Sequence, residues 1–99
     1  MTTELYYTPP SNEIFEEVKK AAIELWREVD TDNDRFGYAS EKISRIENIT
    51  NIQDNMMFIV AMFDGDNQAL LANKLSQEAR YAIRERWIDG GGHASLIPF

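Results

Sequence analysis

Cysteine is missing from all 99 residues, and histidine occurs once. The first absence removes disulfides, thiolate metal sites and cysteine nucleophiles together. The second leaves His93 alone to act as a general base near neutral pH, in a glycine-rich tail that offers no rigid platform for one. Proline is limited to three positions and glycine to five, so long helices can run wherever apolar spacing favours them. The longest apolar run, residues 56–63, falls far short of the ~20 residues needed to span a bilayer. The start, MTTELYYTPP, has neither a basic lead nor an apolar core, so no secretory signal is read there. The expectation is a cytoplasmic protein that does not bind membranes and needs no cofactor.

What is plentiful is acid. The net charge is −7, and it is unevenly placed. Thirteen acidic side chains stand against six basic ones over residues 1–65, whereas residues 66–99 balance four against four. A surface of this sign repels nucleic-acid phosphates and attracts basic proteins, which excludes duplex nucleic acid as an expected partner. With 43% hydrophobic residues, a chain of this length suits one domain, residues 1–99, with a lead over 1–10 and a glycine-rich tail over 90–99.

Pro9-Pro10 cannot lie inside a helix, and Ser11 or Asn12 can cap one that starts just after them. From there Ile14, Val18, Ala21, Ala22, Leu25, Trp26 and Val29 recur at helical spacing, predicting a helix over residues 12–29. Its opposite side carries Glu13, Glu17, Glu24 and Glu28, an acidic stripe read as the surface for a basic protein partner. Residues 31–37 are a loop, and residues 39–47 a short second helix with Ile43 and Ile46 inward. Thr50 and Gln53 have the spacing of a capping box before the apolar block, which Asp64-Gly65-Asp66 ends. Being apolar all round, this third helix is expected at the centre of the fold. Met56, Met57 and Met62 are read as core filling, with an adaptable binding groove as the alternative. Asp66 or Asn67 is expected to cap the last segment, which LSQEAR can divide at Ser76. Gly90-Gly91-Gly92 ends it, and the apolar SLIPF tail should dock on this chain or on a second copy. The expected fold is therefore all-α: a compact bundle of four to five helices with a short acidic loop and an apolar C-terminal tail.

The stretch VDTDNDRFGYASEKI resembles the EF-hand family over residues 25–46. The resemblance implies calcium held by Asp30, Asp32 and Asp34 at loop positions 1, 3 and 5, the Phe36 carbonyl at 7 and Glu41 at 12. Two positions depart from the pattern. Arg35 stands where the family turns on glycine, and Gly37 where an apolar residue bridges to a second loop, which this chain lacks. A solvated acidic turn is the preferred reading, with no metal bound. Glu13-x-x-Glu16 is similar to the first half of the magnesium motif in MazG-type nucleotide pyrophosphohydrolases, but no second half follows. DGGGH lacks the strand and helix that would make its glycines a phosphate cradle.

Arg80, Arg84 and Trp87 fall at i, i+4 and i+7, with Tyr81 beside them. Guanidiniums next to aromatic planes can clamp phosphate and stack a base, which makes these four the candidate residues for a nucleotide-type ligand. The favoured expectation is a non-enzymatic acidic binding protein that inhibits or sequesters a basic protein. In size, acidity and poverty of catalytic groups the chain resembles small phage-encoded anti-defence inhibitors, including anti-CRISPR proteins and cyclic-nucleotide sponges. That likeness implies a host cytoplasm as the place of action. A nucleotide sponge and a degenerate EF-hand-like calcium binder are the alternatives, and self-association through the tail is a further expectation.

Overall fold

The computed structural model describes residues 11–29, 38–50 and 52–99, with the side chains of 29, 38, 52–55 and 94 left aside. Five α-helices run through them: α1 Asn12–Val29, α2 Tyr38–Glu47, α3 Ile52–Ala61, α4 Gly65–Asn73 and α5 Gln77–Asp89, followed by a 3₁₀ turn, Ala94–Leu96. Among the described residues the fold is an all-α bundle of five helices, with no strand. None of these helices is long and apolar enough to cross a membrane.

Three of the helices, α1, α4 and α5, begin where a short polar side chain satisfies an orphan amide. Ser11 Oγ accepts from the Ile14 amide at 3.2 Å, which selects Ser11 over Asn12 as the cap of α1. For α4 the cap is Asp64, whose Oδ1 accepts from the Asn67 amide at 3.0 Å. The cap thus lies ahead of the expected Asp66 or Asn67, because a residue with extended backbone must precede the first turn. Ser76 caps α5 through the Ala79 amide at 3.2 Å, so the chain does divide at LSQEAR. Thr50 immediately precedes residue 51 and α3, but the Gln53 side chain of the expected capping box lies outside the described residues.

One apolar core unites the helices. It is built from Phe15, Val18, Ala22, Leu25 and Trp26 on α1, Ile46 on α2, Met56, Ile59 and Val60 on α3, Leu71 on α4 and Ile83 on α5. Phe63, just past α3, stacks on Trp26 with ring centroids 5.1 Å apart. The central helix is α1, which packs against all four others, while α3 packs on α1 and α5. The expectation for α3 is corrected: only one side of it is covered, and Phe58 stands 50% exposed. A ten-residue helix beside an 18-residue one cannot reach every neighbour, so the longer helix becomes the hub.

Two tethers fix the corner between α4 and α5 to α1. Glu17 accepts from the Ser76 amide at 2.7 Å and the Ser76 hydroxyl at 3.0 Å. Lys74 pairs with Glu28 at 2.6 Å. Ser76→Ala removes the hydroxyl cap and one partner of Glu17, and is expected to cost about 1 kcal/mol. A cycle with Glu17→Ala should show coupling of roughly 0.5–3 kcal/mol between the two sites. Additive denaturation midpoints would mean that the tether contributes nothing.

Candidate functional site

The structure divides the acidic stripe of α1. Glu13, Glu24 and Glu28 are exposed and Glu17 half-buried, but Glu17 and Glu28 also hold Ser76 and Lys74. Beside the stripe a groove of about 380 Å³ opens, with Ile23 among its lining residues and Glu16, Glu24, Glu47, Lys19, Lys20 and Arg27 around it. It is therefore a mixed-charge groove. Lys19 holds its end together structurally, donating to the Ile49 carbonyl at 2.9 Å and the Glu47 carbonyl at 3.5 Å, where a cation complements the carbonyl end of α2.

The candidate nucleotide residues are only partly assembled. Arg84 and Tyr81 are exposed, and Arg80 is half-buried. The Nε of Arg80 is buried with no acceptor among the described residues. Trp87 is committed to the tail: its Nε1–H donates to the His93 carbonyl at 2.7 Å, and Gly92 lies so close that a Cβ there would fall 2.3 Å from Trp87 Cε2. The depression beside Trp87 opens toward Arg86 and residues 90–92. There the Gly90, Gly91 and Gly92 amides already donate to the carbonyls of Arg86, Ile88 and Trp87 at 2.9–3.1 Å. Those amides close a Schellman motif in which Gly91, at φ +92°, takes the left-handed position. They are not offered to phosphate.

Tyr81 has a perturbed titration. The Glu85 carboxylate accepts its hydroxyl and repels the phenolate, raising the pKa above the ordinary 10.0, while Arg84 pulls weakly the other way. Both effects of Glu85 favour the protonated phenol. Glu85→Gln is therefore expected to lower the Tyr81 pKa, read from the ring-carbon NMR shift between pH 8 and 12. A rise or no change would exclude Glu85 as the cause.

Of the calcium candidates, Asp30, Asp32 and Asp34 lie outside the described residues. Glu41 is described, and it pairs with Arg45 one turn later at 2.8 Å. Among the described residues no group of three or more His, Cys, Asp or Glu side chains converges as a metal site would require. Calorimetric titration with calcium is expected to show nothing tighter than about millimolar, the weak end of the EF-hand range. A micromolar site lost in Glu41→Gln would overturn that expectation.

One surface, the outer side of α3, was read from the sequence mainly as core, with a methionine-lined binding groove only as the alternative. Met56, Ile59 and Val60 point inward, whereas Phe58 and Ala61 are exposed and Met57 and Met62 half-buried. Against it lie two adjoining depressions, both lined by Met57, Ala61 and Trp87. The first, about 440 Å³, continues to Arg86 and the glycine corner. The second, about 210 Å³, continues to Gln68, Leu96 and Ile97. The tail borders this surface: Phe99 packs on the core, while Leu96 is 70% exposed. The signal was present in the apolar block of residues 56–63, and it was assigned chiefly to burial. No family model, curated protein or solved structure matches this chain.

Proposed function

We propose that the protein is a non-enzymatic binding protein that engages a basic protein partner and acts by inhibiting or sequestering it. The observation that supports this reading is the placement of charge on a fold with an apolar interior. Among the described residues no charged or polar residue is buried, and Glu13, Glu24, Glu47, Asp64, Asp66 and Asp89 are all exposed in a chain of net charge −7. Such a surface steers positively charged partners and accelerates their encounter in a salt-dependent way.

The experiment is capture from a lysate of the source cells, at low and at high salt, by the wild-type chain and by a Glu13→Lys/Glu24→Lys variant. A basic protein retained at low salt, released at high salt and lost by the variant supports the reading. Retention independent of both defeats it.

The nucleotide reading has its own support in the buried Arg80 Nε without an acceptor and in the exposed Arg84 one turn away. A thermal-shift panel of nucleotides and cyclic dinucleotides tests it. A shift that Arg84→Ala abolishes, while leaving the unliganded melting temperature unchanged, would favour the sponge over the protein binder.

A further inference from the structure

The mixed-charge groove beside α1 carries its signs in a fixed order. Glu16, Lys20, Glu24 and Arg27 follow one another at steps of four, four and three, so they form one ridge along the helix that reads acid, base, acid, base. Ile23 lies half-buried within that ridge. Lys19 and Glu47 complete the charged lining, which sets three acids against three bases and leaves the groove neutral on a chain of net charge −7.

Opposite signs at this spacing normally close pairs within their own helix. Here they stay open. Lys20, Glu24, Arg27 and Glu47 are all exposed, and none of them enters an ion pair among the described residues, while Glu16 reaches only Lys19, at 3.9 Å.

The order of the signs decides what fits. A uniformly basic surface would meet Lys20 and Arg27 with like charge, and a uniformly acidic one would do the same to Glu16 and Glu24. A ridge of acid, base, acid, base laid antiparallel on its own copy meets opposite charge at every position. Glu16 then faces Arg27 of the second copy, and Lys20 faces Glu24 of the second copy. The two pairs are centred within one residue of each other, beside Ala22, which is less than about 1.5 Å along the helix. One two-fold axis therefore serves both, as an isologous interface requires. Two chains of like net charge repel elsewhere, but inside the groove the charges balance.

We infer that this face of α1 pairs antiparallel with the same face of a second copy, across a two-fold axis beside Ile23. By symmetry each bridge, Glu16 to Arg27 and Lys20 to Glu24, occurs twice. The two Ile23 side chains meet near the axis, covered by the aliphatic stems of Lys20 and Arg27. Exposed bridges are individually weak, and the ridge spans only about 17 Å of helix, so the interface belongs to the small, transient class. This goes beyond the basic-partner reading and does not rest on it.

Sedimentation velocity of the full chain at low salt should show a monomer–dimer equilibrium with a dissociation constant of about 10–500 µM, weakening as salt rises. Lys20→Glu and Glu24→Lys should each weaken the dimer at least about tenfold, because each turns a symmetric pair of bridges into like-charge contacts. The double variant Lys20→Glu/Glu24→Lys should regain it, and so should an equimolar mixture of the two single variants, since opposite signs again meet in both. Net charge makes the comparison decisive: Glu24→Lys moves the chain by two units, from −7 to −5, which would strengthen association through any other face. Thermal melting by circular dichroism should be unchanged in all of them, as the altered side chains have no ion-pair partner within the chain. A wild-type chain that stays monomeric to about 1 mM overturns the proposal. So does a dimer that the single variants leave intact, as one held by the tail would be, and so does a dimer lost in the single variants that neither the mixture nor the double variant restores.

Discussion

Phe15→Ala is expected to remove about 3–5 kcal/mol of folding stability, the range for deleting a buried aromatic ring. For a chain of this length that is a large share of the roughly 5–15 kcal/mol available. Phe15 is 2% exposed on the inner side of α1, the helix that all the others touch. Its ring also lies 5.6 Å from the ammonium of Lys19, which in turn holds the carbonyl end of α2. Truncation therefore opens a cavity at the hub and loosens the base that anchors a second helix. Urea denaturation should show the midpoint falling while the slope stays constant. A loss below about 1 kcal/mol would mean that α1 is not the centre of the core.

The second large effect is expected at Gly92. A Cβ there would sit 2.3 Å from Trp87 Cε2 and 2.5 Å from Nε1, so even alanine forces the indole or the tail to move. Either movement strains the bond from the indole N–H to the His93 carbonyl. Overpacking of this kind costs about 1–3 kcal/mol. In the nitrogen–proton NMR spectrum the Trp87 indole resonance should lose its hydrogen-bonded shift and its protection from exchange. Gly65 provides the control, since nothing lies within 4 Å of a Cβ placed there. Gly65→Ala should be neutral or stabilising by up to about 1 kcal/mol. If Gly92→Ala melts with the wild type and leaves the indole resonance in place, the tail is not clasped as described.

The helices were legible because their signals are local. Pro9-Pro10 followed by Ser11 marks the start of α1, and apolar residues every three to four positions carry it to Val29. Ser76 divides α4 from α5 by the same chemistry. Misreadings arose where one local pattern permits two tertiary outcomes. An all-apolar helix can be buried or can present a contact surface, and periodicity does not distinguish the two. The pairing of Glu17 with Ser76 and of Glu28 with Lys74 could not be read from spacing on one helix, because the partners are 59 and 46 residues away, and Glu28 still faces solvent. Trp87 was grouped with Arg80 and Arg84 by helical spacing, whereas it is clasped by Gly92 from beyond the end of the helix. A glycine run closing a helix that ends in tryptophan could have pointed to that contact, since only glycine lets the backbone approach an indole so closely.

The hub position of α1 has a consequence for how the chain comes to be folded. The helix on which the other four pack is the first of them to leave the ribosome, and α5 is the last. The 60 residues from the end of α1 to the end of α5 take roughly 3–12 s to synthesise. During that interval α2 alone can settle early on the stripe of Phe15, Val18, Leu25 and Trp26, and the rest of it waits uncovered for partners still being made. The tethers from Glu17 to Ser76 and from Glu28 to Lys74 close across 59 and 46 residues. Such distant pairings raise the entropic cost of the folding nucleus, so this bundle should fold more slowly than one whose helices pack only on their neighbours in sequence.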